Sequence, residues 1–389
     1  MKKLILALLL TYGFSSELTN YLDNNYNELF DMELQKSIKE SDYNSLSWIS
    51  PIMLSFERSW DNTIEGTSNP QNRYTISINQ PIFKSGGIYY GIKSARSSYN
   101  LAQINILKQK NELIAKAIEI LFQIKQSRLT LKKLDLQVKN AIIEIKQNQE
   151  LLDAGLSDTV SLDNAIAKKE SALIAKLEMQ SNIEELKAAF AKISNKNPDK
   201  LKLPTLKLVS KDRFLNSNLD IDAANAEVIN NKNLQALTRS KYLPTVSVGA
   251  SYTKFSPKPF GMRKDSVTNY SLSVSMPLSV NMNNDLEIAK LNSIISSIKA
   301  KQTKKDAKVD YNLVLKKISI INRKIALAKK EASAYKRLLK ATKNLYKAGQ
   351  RSKSDVELFR NSYKIKKLDA QIYSVAKQIE LLKLYKKMR

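Results

Sequence analysis

Ile104-Asn-Ile-Leu107-Lys-Gln-Lys-Asn-Glu-Leu-Ile114-Ala-Lys-Ala-Ile118-Glu-Ile-Leu121 lies inside a run from Ile92 to Asp153 that contains no Gly and no Pro. At a rise of roughly 1.5 Å per residue, a helix of those 62 residues spans on the order of 90 Å, about three times the width of a small domain. A compact globule has no place for such a rod. Its apolar residues recur at spacings of three, four and seven, at Ile104, Leu107, Ile114, Ile118 and Leu121, then Leu131, Leu134, Val138, Ala141 and Ile145. That pattern is the narrow seam of a coiled-coil-like helix.

Working outward, the run ends at the turn Ala154-Gly155, and a return helix over about 156–197 stops at Pro198. Upstream the period changes to two. Ile52, Leu54, Phe56 and Trp60 alternate with polar residues, as do Tyr74, Ile76 and Ile78, so strands are expected over about 48–60 and 72–83. The polar segment 61–72, with Gly66 and Pro70, reads as a hairpin loop between them. Gln80-Pro81-Ile82-Phe83 and Gly86-Gly87 then lead, as a flexible entry, into a long helix over about 88–153. Before the strands, Glu17 to Asn44 reads as a helix of moderate length.

The same order recurs. After a Lys-rich connector over 199–218, a helix covers Leu219 to Leu243 and strands are expected over about 244–256 and 267–279. A second long helix follows over about 285–348, then Gly349 and a return helix over about 350–388. Landmarks agree in offset: Pro51 with Pro244 at 193, Gly155 with Gly349 at 194, Pro81 with Pro277 at 196. The chain therefore reads as a first structural repeat, 16–198, the connector, and a second repeat, 219–389.

Met1-Lys2-Lys3 followed by Leu4 to Leu10, with Gly13 and Ser15 as small residues, reads as a signal peptide over 1–15. No other stretch is apolar enough for a transmembrane helix, so any membrane span must be made of strands. With no Cys and no His, disulfides, thiolate or imidazole metal sites and Ser-His or Cys-His dyads are excluded. Gly86-Gly87 lacks the Lys-Ser/Thr ending of a phosphate loop. No enzyme activity and no cofactor are expected. The formal charge of +27 raises a nucleic-acid reading, but the lysines are scattered along every helix rather than clustered with aromatics, so no nucleic acid is expected.

Four strands with one apolar and one Ser/Thr-rich face cannot close their own edges in lipid, where an open sheet leaves backbone N–H and C=O groups without partners. Membrane barrels start at about eight strands, so two copies are the minimum and three make twelve. Trp60, Tyr74, Tyr252, Phe255 and Tyr270 are candidate interfacial aromatics.

The order of elements, given twice, resembles the TolC-type outer-membrane efflux proteins over essentially the whole mature chain. Its most specific pieces are Gln80-Pro81-Ile82-Phe83 with Gly86-Gly87, Tyr242-Leu243-Pro244-Thr245, and Tyr346-Lys-Ala-Gly349-Gln-Arg351-Ser352-Lys-Ser-Asp355-Val356. The first turn, from Ala154 to Ala165, matches less well, and Met276-Pro277 lacks the Gln and the glycines. The resemblance implies a mainly α fold with a small β part: long antiparallel helices forming an α-barrel, and four strands per protomer contributing to a trimeric twelve-stranded transmembrane β-barrel. It implies a homotrimer in the outer membrane of a Gram-negative bacterium with a periplasmic tunnel, in contact with outer-membrane lipid. Its partners are then a periplasmic adaptor and an inner-membrane pump, and its role is the passive exit duct of a tripartite efflux or type I secretion system. It further implies a periplasmic gate at Tyr346, Arg351 and Asp355, beside the helical-tip turns at Gly155 and Gly349. The family's further acidic positions hold Leu358 and Ser161 here, which leaves Asp158, Ser161 and Glu357 as candidate gate partners. The alternative from a different class is a soluble periplasmic coiled-coil adaptor or scaffold.

Overall fold

The computed structural model describes residues 21–61, 69–259 and 261–389. The expected signal peptide and most of the first hairpin loop lie outside the described residues. In chain order the elements are α1 (Asn24–Leu46), β1 (Met53–Asp61), β2 (Asn69–Phe83), α2 (Gly87–Asp153), α3 (Thr159–Ala191), α4 (Lys211–Asn216), α5 (Leu219–Ser240), β3 (Thr245–Ser256), β4 (Ser266–Ser275), α6 (Met282–Lys347) and α7 (Lys353–Tyr385). Two compact units form. One takes 31–106 and 220–304; the other takes the chain up to Phe30, then 107–219 and 305–389. Each draws on both halves of the sequence.

In the first unit the four strands make one antiparallel sheet in the order β1-β2-β3-β4, so β1 and β4 are edges. β1 begins at Met53 rather than near 48, beyond Pro51, which has no N–H for the ladder. β4 ends at Ser275 rather than near 279, just ahead of Met276-Pro277, for the same reason. β2 tolerates Pro81 because the register with β3 slips there, between Pro81 and Phe83. The Gln80 amide explains its place in the motif: its Oε1 accepts from Ser50 N–H at 2.9 Å and its Nε2 donates to the Trp48 carbonyl at 3.1 Å. It ties the lead into β1 to the end of β2. The two glycines that follow have separate reasons: Gly86 takes φ +89°, in the left-handed region, while Gly87 serves close packing rather than a flexible entry, since a Cβ there would lie 2.9 Å from Ser240 Oγ and 3.2 Å from Lys84 Cβ. Polar side chains join the early turns of α2 to the middle of α5. Ser97 and Ser98 both donate to Asn230 Oδ1 at 2.9 Å, linking α2 to α5.

In the second unit, side-chain bonds give the neighbours of each long helix. Lys176 to Asp135 (2.7 Å) and Lys168 to Glu144 (3.3 Å) join α3 to α2. Lys133 to Asp369 (2.7 Å) joins α2 to α7, and Lys366 to Glu331 (2.9 Å) joins α7 to α6. Exposed pairs of this kind add little stability, but they fix the order α3-α2-α7-α6. None of the ten seam residues of α2 is exposed, and Ile104, Ile114, Ile118, Leu121 and Ala141 are buried. Exposed large apolar residues gather instead on the outer two helices: Val160, Ile166, Ile174 and Leu177 on α3, and Val309, Leu313, Ile320 and Leu327 on α6. Those of α6 stand four and seven apart, a second seam with nothing against it in one protomer.

The connector is less irregular than its sequence suggests. It holds the short helix α4, capped by the Ser210 side chain accepting from Arg213 N–H. Phe214 of α4 is fully buried, its ring 5.6 Å from that of Tyr311. Gln378 pairs with both the N–H and the C=O of Leu206, and the Tyr385 hydroxyl donates to the Lys207 carbonyl. The C-terminal residues close the belt, with Leu219 N–H bonded to the Lys387 carbonyl and Arg389 N–H to that of Ser217.

The two helical turns are built alike. Gly155 at φ +69° and Gly349 at φ +73° occupy the left-handed region. Leu156 N–H reaches back to the Leu151 carbonyl and Gly155 N–H to Leu152, and Gln350 and Gly349 do the same to Leu345 and Tyr346. These are Schellman ends, which satisfy the last helical carbonyls. The return helices start three residues beyond the positions expected for them, at Thr159 and Lys353, because Asp158 and Ser352 act as N-caps. Gly349→Val is expected to destabilise the folded protein by about 1–2 kcal/mol, since a β-branched residue fits the left-handed region poorly. A lower thermal midpoint by circular dichroism checks this; an unchanged midpoint rejects the conformational demand.

Candidate functional site

The sheet presents two faces of opposite chemistry. Even-numbered residues share one face, in rows such as Leu54, Ile76 and Tyr252; Ile78, Ala250 and Tyr270; Gln80, Val248 and Leu272; and Val246 with Val274. Their large side chains stand in the open: Leu54 is 74% exposed, Tyr270 83% and Leu272 72%. In water this face loses on the order of 25 cal/mol for every Å² of apolar surface left uncovered. Odd-numbered residues form the other face, with Ser77, Ser251 and Asn269 in one row and Thr75 beside Thr253, whose hydroxyls lie 3.1 Å apart. Ser247 and Gly249 of this face are buried, whereas Val248 between them stands exposed on the other. One apolar face opposite one hydroxyl-lined face is the alternation of a transmembrane barrel strand.

Of the aromatics expected at the lipid interface, Trp60, Tyr74, Tyr252 and Tyr270 are exposed on the apolar face. Phe255 is not among them. Its odd position places it on the polar face, where the Arg73 guanidinium lies over its ring at 5.6 Å and bonds Glu57 at 3.4 Å. The parity of its strand, not its residue type, decides the side it takes.

At the second helical tip, Asp355 is the N3 residue of α7 in a reciprocal capping box. The Ser352 side chain accepts from Asp355 N–H at 3.0 Å, and the Asp355 carboxylate accepts from Ser352 N–H at 3.1 Å. Its other oxygen accepts from Gln147 Nε2 on α2 at 3.1 Å. Burial pushes the Asp355 carboxyl up, but the hydrogen bonds from Ser352 and Gln147 and the charge of Arg351 outweigh it, so the group titrates below its ordinary range. Arg351 stands 3.9 Å from the carboxylate and is largely exposed. Tyr346 is 46% exposed, and its carbonyl serves the Gly349 turn. Arg351 and Asp355 thus meet within one protomer, while the Tyr346 side chain bonds neither of them.

The first tip is capped from one side only, by Asp158 as the N-cap of α3. The Asp158 carboxylate accepts from both the hydroxyl and the N–H of Ser161, which hold the carboxyl below its ordinary range. Asp158 and Ser161 therefore serve each other. Glu357 is exposed on the outer side of its helix. Gln147, unremarked in the sequence, links the two hairpins at this tip, and its only signal is a polar side chain in the last turns of a helix.

Residues 51–196 match the family model described as outer membrane efflux protein. None of the curated proteins matches the sequence. Among solved structures, the fold is similar to that of the outer membrane protein VceC from Vibrio cholerae, at TM-score 0.76 and 14% identity over 96% of this chain and 95% of that one. It is likewise similar to the Campylobacter jejuni CmeC outer membrane channel, at TM-score 0.75 and 17% identity over 95% and 84%. For the open state of the Neisseria gonorrhoeae MtrE outer membrane channel the values are 0.71 and 17% over 96% and 88%. The resemblance drawn from the residue pattern is borne out, as is the fold class.

Proposed function

We propose that this chain, whose residues 51–196 belong to the outer membrane efflux protein family and whose fold is that of the channels above, forms a homotrimeric exit duct in the outer membrane. One observation carries the reading: the protomer consists of open layers. The sheet ends in two unpaired edge strands under a bare apolar face, and the helical array ends in two helices with uncovered apolar seams. Copies of the same chain satisfy both at once, since three give twelve strands and twelve helices. A soluble adaptor or scaffold has no use for Leu54, Tyr270, Leu272 and Val274 in the open. The protein resists carbonate extraction from membranes and migrates as a heat-modifiable oligomer if this reading holds; release of a monomer by carbonate overturns it.

The duct opens passively, with energy supplied by an inner-membrane pump through a periplasmic adaptor at the helical tips. Its cargo is the small molecules or proteins of a tripartite efflux or type I secretion system. Asp355 holds the second tip closed through the capping box and the Gln147 bond, and Arg351 adds its charge 3.9 Å from the carboxylate. Arg351→Ser is expected to raise single-channel conductance in a planar bilayer at neutral pH. Acid does the same to the unaltered protein. With the folded pKa of Asp355 lowered, its carboxylate stabilises the turn fully above the unfolded value of about 4 and loses that effect as pH falls through the folded value. Asp355→Asn removes the acid response. A conductance that ignores both substitutions rejects the gate assignment.

A further inference from the structure

The two ends of the apolar face differ in charge. Beside the hairpins, the even-numbered side that carries Leu54, Phe56 and Tyr252 also carries Arg58 on β1 and Lys254 on β3, both exposed. Arg58 lies with its guanidinium 5.5 Å from the centroid of the exposed Trp60 ring. Lys254 pairs across the sheet with Tyr74, which stacks at 5.1 Å on Phe56. Among the described residues neither cation has a carboxylate partner. The adjoining loop adds exposed Arg263 and Lys264. At the opposite end, where the strands lead into α2 and α6, the large exposed side chains are Ile82, Met276, Leu278 and Val280, all apolar. Cations set among exposed aromatics on a lipid-facing surface, at one end only, match a membrane whose two leaflets differ in charge.

We infer that the outward face at the hairpin ends, through Arg58 and Lys254, binds the phosphorylated sugar headgroup of the glycolipid that fills the outer leaflet. The inference rests on the proposed membrane duct, with the hairpins as its outer end. Arg58 pairs with Asn72 and Asn72 with Ser256, so Arg58 and Lys254 lie two strands and two residues apart. At about 4.8 Å between strands and 3.4 Å per residue, that is roughly 12 Å at the backbone. Two long cationic side chains at that separation fit a headgroup carrying phosphates at both ends, while Trp60, Phe56 and Tyr74 supply the apolar surface beneath its first methylenes. Arg73, on the odd-numbered face, does not take part, since Glu57 and Phe255 engage it.

The test is native mass spectrometry of the purified full-length oligomer with three probes: bisphosphorylated lipid A, the same lipid with both phosphates removed, and inorganic phosphate. Bisphosphorylated lipid A is expected to be retained, the dephosphorylated form to be retained at least tenfold less, and millimolar inorganic phosphate to leave the complex in place. Arg58→Gln with Lys254→Gln should lower retention by on the order of tenfold or more. Arg73→Gln, on the odd-numbered face, should leave it unchanged. Equal retention of the two lipids, equal retention by the double variant, or displacement by free phosphate overturns the inference. A double variant that still forms a conducting oligomer but keeps the lipid rejects this site alone, whereas a chain that forms no membrane oligomer rejects the duct itself.

Discussion

Leu272→Arg is expected to remove the protein from the membrane fraction, whereas Asn269→Arg, three residues earlier on the same strand, is expected to leave it there. The two positions differ in parity and therefore in face. Leu272 pairs with Val248 on the apolar side and is 72% exposed in the protomer, so the duct reading places it against lipid. Asn269 pairs with Ser251 on the polar side. An Arg on the lipid face near the midplane costs about 2–4 kcal/mol, and threefold repetition brings the sum to roughly 6–12 kcal/mol. That is comparable to the whole stability of a folded domain. A cation in a wet lumen keeps its hydration and costs little. The measurement is the share of protein in carbonate-washed membranes, together with the heat-modifiable oligomer on a denaturing gel. If Leu272→Arg inserts as well as Asn269→Arg does, the even face does not meet lipid.

What the sequence made legible follows from periodicity, and what it hid follows from tertiary context. Alternation in Thr245 to Phe255 is a property of single side chains on a pleated backbone, so strands and faces can be read without knowing any neighbour. The α2 seam is legible for the same reason, and its residues do face inward. Strand ends depart from the alternation where Pro51 and Pro277 stop the ladder. Residue type alone puts Phe255 with the interfacial aromatics, but the parity of β3 decides its side. Gly87 reads as freedom in a sequence, yet only the approach of Ser240 and Lys84 reveals that it is a matter of space. At the tip, Arg351 and Asp355 could be paired by spacing alone, being four apart on a helix. Their tie to Gln147 could not, because 208 residues separate Gln147 from Asp355. The capping box Ser352-x-x-Asp355 was the more local signal, and it makes Asp355 a structural residue of its own helix before it is anything else.

Phe214→Ala is expected to destabilise the folded protein by about 3–5 kcal/mol, the range for removing a large aromatic side chain from a closed core. The connector 199–218 is Lys-rich and looks like solvated linker, but Phe214 is fully buried within it. Its ring meets Tyr311 of α6, and the Tyr311 hydroxyl donates to the Val209 carbonyl at 2.8 Å, so one aromatic pair fixes both the helix α4 and the backbone leading to it. The same stretch accepts Gln378 and Tyr385 from α7. Loss of Phe214 therefore loosens a short helix that cannot stand alone, since six residues are far below the length at which an isolated helix persists. With it go the anchors of α6 and α7 against the connector. Phe214→Leu keeps most of the volume and should cost under about 1.5 kcal/mol. Thermal unfolding of the two variants by circular dichroism separates the cases. Should the Ala variant melt within a degree or two of the unaltered protein, the connector is a passive strap and the belt draws its stability from the long helices alone.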